Sequence, residues 1–252
     1  MKIIFFFLLI LSIPVLYYCT AAQDEMNPED TEVWEPEPVK VDPGKLTASP
    51  PSDAIILFDG TDMSAFDIPE GTEWIVHDGI VTITPSKEQQ EIPVVITTIQ
   101  EFGDIQLHVE WRAPLEIHGE GQRRGNSGIF LQKRYEIQVL DSYNNRTYSN
   151  GQAASVYKQH IPDVNACRPP GEWQTYDIIF TAPRFMEGGE LENPAFVTVI
   201  HNGVLVQNHV EILGTIRFIG YPEYEPHPLK QALGLQDHGD AVSYRNIWVR
   251  EL

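Results

Sequence analysis

Short segments in which apolar and polar residues alternate follow one another from residue 55 to the end of this chain, and they limit its fold more than any other feature. Because side chains on a strand point to opposite faces in turn, this alternation is typical of half-buried strands, and no stretch keeps a helical period. About a dozen such segments without a repeat predict an all-β fold of two packed sheets, a sandwich or jelly roll. The clearest segments are WIVHDGIVTIT, VVITTI, DIQLHVEWRA, TYDIIFTA, AFVTVIHNGVLVQNHV and SYRNIWVREL.

Two turns between these segments carry a sharp signal. His77-Asp78-Gly79 and His201-Asn202-Gly203 each stand between two alternating runs. Asp-Gly and Asn-Gly tolerate the positive φ angles that a two-residue hairpin turn requires. The sequence therefore predicts a tight β-hairpin at each place.

The first 22 residues resemble a signal peptide, because Lys2 precedes an apolar stretch that is too short to span a membrane comfortably. Thr20, Ala21 and Ala22 offer an ordinary cleavage site. The protein is thus predicted to be exported, either to a periplasm or out of the cell. The alternative is a bacterial lipoprotein anchored through Cys19, although tyrosines stand where small residues normally precede a lipidated cysteine. A membrane partner is expected only in that case.

Residues 23–51 have the composition of a linker. Eight acidic residues against one lysine lie between positions 23 and 42, and prolines recur throughout. With few apolar groups and strong self-repulsion, such a segment is not expected to offset the entropy of ordering. One domain is predicted over residues 52–252.

The overall charge argues against one class of partner. The chain has 17 basic and 36 acidic residues, for a formal net charge of -19. A surface of this sign repels phosphate backbones, so nucleic acid is not expected to bind. A neutral or cationic ligand suits it better, and solubility alone is the other reading of the excess acid.

A polar face is predicted on two neighbouring strands between Asn126 and Asp141. In YEIQVLD, Ile137 and Val139 point to one side while Glu136 and Gln138 point to the other. The preceding run places Asn126 and Phe130 together on one face in the same way. Such a surface would form a sugar-sized site, and the alternative is an ordinary solvated sheet face.

A second polar strand edge is predicted in ALGLQDHG. There Gln236 and His238 share one face, and Asp237 lies on the other with two leucines. The alternative is that Asp237 and His238 cap a turn before the last strand. Asp141 has the same two readings, because it follows directly after its strand and could either bind a ligand or form a turn.

Motifs along residues 52–252 resemble those of the 3-keto-disaccharide hydrolase domain family. This resemblance implies a concanavalin A-like β-sandwich that cleaves glycosides oxidised to a ketone at sugar carbon 3. One departure is Gln174, where the family commonly has Asn. The motifs are LFDGTDMSAF, EWIVHDGIV, FGDIQLHVEWR, GNSGIFLQ, YEIQVLDSY, RPPGEWQTYDIIF, HNGVLV and LGLQDHGDAVSYRNIWVREL.

The chemistry implied by this resemblance needs few groups. A ketone at carbon 3 acidifies the hydrogen on carbon 2, so that a base can remove it and the enolate can expel the group on carbon 1. Glu136 is the first candidate for proton transfer and His238 the second, since imidazole titrates near neutrality. Arg168 is a candidate for contacts to the enolate or hydroxyls, and Tyr157 for stacking on a sugar.

Metal binding stays open, because no zinc-type spacing occurs. Oxygen ligands such as Glu136, Asp141 and Asp237 could hold a divalent cation, and no cofactor is otherwise predicted. The predicted function is hydrolysis of a 3-keto glycoside, or elimination followed by hydration, with an oxidised carbohydrate as partner. The runner-up is a non-catalytic carbohydrate-binding module of the same fold. An ordinary retaining glycosidase would need a second carboxylate about 5 Å away.

Overall fold

The structure is a computed structural model that describes residues 26–40, 49–85 and 94–252. The predicted signal peptide, Cys19 and part of the predicted linker lie outside these ranges. Within them there is no α-helix, and three short 3₁₀ turns occur at Pro28–Thr31, Gly121–Arg123 and Ser149–Gly151. No helix in the described ranges has the length and apolar character that crossing a membrane requires.

The described residues form seventeen β-strands, which confirms the all-β prediction. In chain order they are β1 Val39–Lys40, β2 Ile55–Phe58, β3 Phe66–Asp67, β4 Trp74–His77, β5 Ile80–Ile83, β6 Val94–Phe102, β7 Ile105–Arg112, β8 Ser127–Leu131, β9 Tyr135–Val139, β10 Val164–Asn165, β11 Gln174–Thr181, β12 Arg184–Phe185, β13 Leu191–Asn193, β14 Phe196–His201, β15 Val204–Glu211, β16 Gln231–Asp237 and β17 Ser243–Glu251.

Two antiparallel sheets contain most of these strands. The back sheet has eight strands in the order β15-β14-β11-β7-β17-β5-β4, with β2 paired to β17. The front sheet has five strands in the order β3-β6-β16-β8-β9. Strands distant in sequence are neighbours in both sheets, since β17 lies between β7 and β5, and β16 lies between β6 and β8. The predicted sandwich of two antiparallel sheets is therefore confirmed.

Both predicted hairpins are present. Asp78 and Gly79 have φ angles of 50° and 75° and connect β4 to β5. Asn202 and Gly203 have φ angles of 53° and 84° and connect β14 to β15. The positive values are those that two-residue hairpin turns require, which explains why these residues stand there.

The core lies between the two sheets and consists of one continuous cluster of buried side chains. Ile129, Ile137 and Leu235 enter it from adjacent strands of the front sheet, where they lie side by side in register. The back sheet contributes Tyr176, whose hydroxyl donates a hydrogen bond of 2.8 Å to the carbonyl of Gln138. The sheets are thus held in a defined position relative to each other beneath the polar face of β9.

Residues 28–40, which we call the N-terminal strap, contact the domain, whereas composition predicts that the acidic segment does not offset the entropy of ordering. Its strand β1 pairs in parallel with β10. The Asn150 side chain accepts a hydrogen bond from the Val33 amide and donates one to the Thr31 carbonyl, each of 3.1 Å. The cause is backbone hydrogen bonding, which a composition-based argument from apolar content does not register. The linker boundary itself stays a prediction.

Candidate functional site

The candidate site lies on the front face, by which we mean the side of the front sheet that is turned away from the core. Strand register places Phe130 of β8 between Gly234 of β16 and Glu136 of β9. Gly128 lies opposite Gln138 in the neighbouring row. The alternation expected from the sequence is therefore present, with the aliphatic residues of the same strands in the core. The face is buried, however, rather than solvated, which argues against an ordinary exposed sheet surface.

Glu136 has the most unusual environment on this face. Its side chain is 4% exposed, and its carboxylate occupies the space where a side chain at Gly128 would lie. None of the described residues donates a hydrogen bond to the carboxylate. Burial disfavours the charged form and raises the pKa of Glu136 to about 8. Near neutral pH this carboxyl group can therefore both release and accept a proton.

Residues 153–157 run beside β9 as an irregular additional strand. The amide of Tyr157 donates to the carbonyl of Glu136 at 3.1 Å, and Ile137 forms a bridge with Val156. Since Val156 is in the core, Tyr157 faces the same side as Glu136. The hydroxyl of Tyr157 lies 2.6 Å from that of Tyr148. Two phenolic groups thus flank the buried carboxylate.

A cluster of side-chain amides continues the face beyond Glu136. Nε2 of Gln138 donates to Oε1 of Gln122 at 3.1 Å and to Oδ1 of Asn126 at 3.3 Å. Asn126 in turn donates to the carbonyl of Gln122 at 2.7 Å. Oε1 of Gln138 has no hydrogen-bond partner among the described residues, although it is buried. An unpartnered buried acceptor is costly, and a ligand hydroxyl would satisfy it.

Gln236 extends the same row on β16. Continuing the register of β16 with β8 places it opposite Gly128 and therefore in the same row as Gln138. Its Oε1 is another buried acceptor without a partner in the described part of the chain, and so is the hydroxyl of Ser155 beside β9. The face therefore presents several unpaired hydrogen-bonding groups around Glu136, as a site for a polyhydroxylated ligand would.

Asp141 is held by a structural ion pair. Its carboxylate lies 2.6 Å from Nε of Arg124 and accepts a hydrogen bond from the amide of Tyr143. Burial raises the pKa of Asp141, and the Arg124 guanidinium counteracts this rise. The geometry corresponds to the turn reading of this residue, and its expected role in binding substrate stays a prediction.

Asp237 and His238 lie at the end of β16. The carboxylate of Asp237 accepts a hydrogen bond of 2.9 Å from the amide of Gly239, as a turn-forming aspartate does, and burial raises its pKa. His238 follows the last residue of the strand and is exposed. In an extended strand it would lie about 13 Å further along than Gly234, which shares its row with Glu136. No contact within the described residues joins His238 to Glu136, and its catalytic role stays a prediction.

Arg168 lies near the start of β11 in the back sheet. Its guanidinium donates to the carbonyl of Trp173 at 2.7 Å, and its backbone exchanges hydrogen bonds with the side chain of Gln174. Gln174 also accepts a hydrogen bond of 2.6 Å from Asn202, so its amide supports the backbone here. Neighbouring Cys167 is buried, which raises the pKa of its thiol to about 12 and leaves it unreactive near neutral pH. A substrate contact of Arg168 remains a prediction.

The three acidic residues considered as metal ligands do not form a cluster. In the ranges that the structure covers, no three His, Cys, Asp or Glu side chains are placed to hold a metal ion together. Glu136 lies on the front face, while Asp141 and Asp237 are engaged by Arg124 and Gly239.

Several residues of the face were not found by sequence reasoning. Gln122 belongs to a 3₁₀ turn, and Tyr148 precedes another, so neither stands in an alternating strand segment. Lys158 has a positive φ of 57° and is buried against the N-terminal strap, where its Nζ donates to the carbonyl of Pro28 at 2.7 Å. The only local signal was the density of Tyr, Asn and Gln between residues 143 and 159.

Comparisons with known proteins place this chain among carbohydrate-active relatives. A family model described as a 3-keto-alpha-glucoside-1,2-lyase-like domain matches residues 53–250. A curated relative from Bacteroides thetaiotaomicron named 3-keto-disaccharide hydrolase is 26% identical over 223 residues, which cover 72% of this chain and 71% of the relative.

Solved structures show the same fold. The crystal structure of a "putative glycosyl hydrolase" from Parabacteroides distasonis is 50% identical, with a TM-score of 0.75, and the match covers 89% of this chain and 96% of that one. A second structure of that description from the same organism is 18% identical, with a TM-score of 0.56 and coverage of 79% and 94%, and it supports the fold alone. Because the family model spans most of the sequence, this carbohydrate-active chain belongs to the 3-keto-alpha-glucoside-1,2-lyase-like domain family.

Proposed function

We propose that this protein is an exported enzyme that cleaves glycosides whose sugar carries a ketone at carbon 3. The observation that carries the proposal is Glu136, a buried carboxyl group without a donor among the described residues and with a pKa raised to about 8. Such a group costs stability and is useful mainly where a proton must be moved near neutral pH. The names of the matched family and of the curated relative support this class of substrate.

The ketone decides the reaction. It acidifies the hydrogen on carbon 2, so that the carboxylate of Glu136 can take this proton while an enolate forms. The enolate then reforms the ketone and breaks the bond between carbon 1 and the glycosidic oxygen. The protonated Glu136 can return its proton to carbon 2 when water adds to carbon 1 of the resulting enone. Hydrolysis is therefore elimination followed by hydration, and the active form of Glu136 at the start is the carboxylate.

The amide-rich part of the face suits the sugar that this reaction requires. The unpaired acceptors on Gln138 and Gln236 can each take a hydrogen bond from a sugar hydroxyl. Phe130, in register beside Glu136, offers an aromatic surface for the ring. Because a site built to pair with hydroxyls leaves buried groups unpaired when the hydroxyls are missing, it discriminates against deoxygenated analogues.

An ordinary retaining mechanism fits Glu136 less well. A retaining mechanism needs a second carboxylate about 5 Å away, and the negative charge of that group would raise the pKa of Glu136 by repulsion. Burial is the one cause that raises the pKa of Glu136 among the described residues, and no neighbouring carboxylate contributes. A single carboxyl group is sufficient for abstraction of an acidified proton.

The decisive experiment compares matched disaccharides with and without the ketone at carbon 3. The processed chain should cleave the oxidised substrate and leave the unoxidised one intact. In deuterated water the released sugar should carry deuterium at carbon 2, because that position exchanges its proton. Equal cleavage of both substrates would contradict the proposal. Binding of the sugar without cleavage of either would favour a carbohydrate-binding module.

Export is proposed on the basis of residues 1–22 alone. Expression of the full chain in a bacterial host, followed by fractionation and mass measurement of the mature N-terminus, tests it. Cleavage after Ala22 would support soluble export to the periplasm or medium. A mature protein that begins at a lipid-modified Cys19 would instead support the lipoprotein.

A further inference from the structure

The phenolic group of Tyr157 is the polar side chain placed beside Glu136 that the proposed reaction has not yet used. It is partly exposed, whereas its partner Tyr148 is buried. Their hydroxyl oxygens are 2.6 Å apart, so one of the two donates a hydrogen bond to the other. A partly exposed tyrosine whose hydroxyl is bonded to that of a buried tyrosine is placed to meet a ligand.

Backbone pairing fixes Tyr157 beside Glu136. The amide of Ala154 donates to the carbonyl of Gln138 at 2.9 Å, and the amide of Gln138 donates to the carbonyl of Ser155 at 3.0 Å. The amide of Tyr157 then donates to the carbonyl of Glu136 at 3.1 Å. These bonds set Tyr157 directly across from Glu136 on the same face.

Tyr148 is itself held firmly. Its ring lies in the space that a side chain at Gly151 would need. The two residues that follow it are bound to the N-terminal strap, because Ser149 donates to the carbonyl of Trp34 at 2.8 Å and Asn150 bonds both Thr31 and Val33. The position of the Tyr148 hydroxyl behind Tyr157 therefore depends on the strap as well as on the sandwich.

The charges around the pair keep a proton on Tyr157. Burial raises the pKa of Tyr157, its hydrogen bond with Tyr148 lowers it, and the negative charge of Glu136 raises it again. For Tyr148, burial and the Tyr157 hydroxyl both raise the pKa. Since Tyr157 is the partly exposed member of the pair, it is the one that a ligand reaches, and Tyr148 lies behind it within hydrogen-bond distance of its oxygen.

We infer that Tyr157 is the general acid of the proposed reaction and donates its phenolic proton to the glycosidic oxygen as the bond to carbon 1 breaks. This inference rests on the proposed function. Glu136 takes the proton from carbon 2, the electron pair of the broken bond stays on the glycosidic oxygen, and that oxygen receives the proton of Tyr157. Tyr148 donates a hydrogen bond to the resulting phenolate, which regains its proton from the water whose oxygen adds to carbon 1, while Glu136 returns its proton to carbon 2.

The leaving group provides the test. Tyr157→Phe should lower turnover of 3-keto substrates with sugar or alkyl leaving groups by about 10²- to 10⁴-fold. Its effect on a 4-nitrophenyl leaving group should be smaller than about 10-fold, since nitrophenolate departs without protonation. Tyr148→Phe should show a weaker loss with the same dependence, and Tyr221→Phe, which alters a 70% exposed ring, should change neither rate.

Deuterium exchange separates this role from the others. With Tyr157→Phe, exchange at carbon 2 in deuterated water should continue at the wild-type rate, because Glu136 performs that step. Loss of exchange would overturn the inference, since Tyr157 would then act on the enolate. Equal losses for both kinds of leaving group would overturn it too, as would a leaving-group dependence that appears in His238→Ala instead. A wild type that does not cleave 3-keto glycosides would refute the proposed function itself.

Discussion

The carboxylate of Glu136 lies over Gly128 of the neighbouring strand, in the space that any larger residue would fill. A backbone without a side chain thus makes room for the buried acid, and the adjacent Phe130 closes the space from the same strand. Glu136 can remain buried on the outer side of a sheet because of this glycine. The absence of a side chain at Gly128 thus permits the buried carboxyl group on which the proposed chemistry depends.

Gly128→Ala should therefore damage the site more than the fold. The new methyl group would overlap the Glu136 carboxylate and approach the Phe130 ring at 3.1 Å. We expect destabilisation of about 1–3 kcal/mol from overpacking and a large loss of turnover, because the carboxylate must move. Melting temperature and turnover of a 3-keto disaccharide provide the measurements. Gly103→Ala is the control, since its methyl group would meet only ordinary contacts from 3.5 Å outwards.

Glu136→Gln should raise stability at alkaline pH while it strongly lowers turnover. The native pKa of about 8 exceeds the ordinary 4.5, so the folded state loses stability as pH rises from 4.5 to 8. The variant should be more stable than the wild type at pH 9, on the order of a few kcal/mol, and little changed at pH 4. Turnover should fall by about 10²- to 10⁴-fold. Urea unfolding at the two pH values tests this, and equal stability at pH 9 would show that Glu136 is not buried as a charge.

The pH dependence of catalysis follows from the same group. If the Glu136 carboxylate removes the proton from carbon 2, kcat/KM should rise as pH increases and level off above about 8. The profile should be measured with a nitrophenyl 3-keto glycoside, whose departure needs no acid. A kcat/KM that falls through pH 8 would assign Glu136 the role of acid and contradict its role as base.

His108 on the outer side of the back sheet should produce a second loss of stability at alkaline pH. Burial disfavours its charged form, but its hydrogen bond of 2.7 Å to Asp177 and the Glu110 carboxylate, 3.7 Å from its Nε2, outweigh this effect and raise the pKa to about 8. The stabilisation is fully present below pH 6.5 and is lost as pH rises through 8, by about 2 kcal/mol. His108→Gln should remove this part of the pH dependence. His77→Gln, at an exposed position, should leave the dependence unchanged.

Removal of the N-terminal strap should cost both stability and turnover. A chain that begins at residue 49 loses the hydrogen bonds of Thr31, Val33 and Trp34 to the turn after Tyr148. Relative to a chain that begins at residue 23, we expect the free energy of unfolding to fall by about 1–2 kcal/mol. This is equivalent to a melting temperature lower by roughly 2–8 °C. Arg146→Ala, which breaks exposed ion pairs of the strap and a contact with the exposed Trp34 ring at 5.9 Å, should have little effect. An unchanged melting temperature would restore the reading of this segment as a dispensable linker.

The local pattern of apolar and polar residues was sufficient to predict the strands and part of the candidate site. The period of two in β8 and β9 predicts that Phe130, Glu136 and Gln138 share a face, because alternation is a property of the extended backbone itself. The same reasoning does not predict that this face is buried. Burial depends on chain segments that pack against it from far away in sequence, and it is burial that raises the pKa of Glu136.

Irregular segments contain the site residues that side-chain alternation did not predict. Tyr148 and Gln122 stand at 3₁₀ turns, where no periodicity indicates which way a side chain points. The strap is ordered through backbone carbonyls and amides, which every residue carries and which composition therefore cannot distinguish. A prediction from low apolar content consequently does not anticipate the contacts of residues 28–40.

The sequence by itself determined that the chain is all-β, where its hairpins turn, and that a carboxylate and an amide share one side of β9. These are local consequences of side-chain alternation and of the φ angles that Asp-Gly and Asn-Gly allow. Only the tertiary structure decided that Gly128 makes room for Glu136 and that Tyr157 and Tyr148 stand beside it. The physical reason is that proton chemistry depends on burial and on distances of a few ångströms, which strand pairing and loop docking create between residues that are remote along the chain.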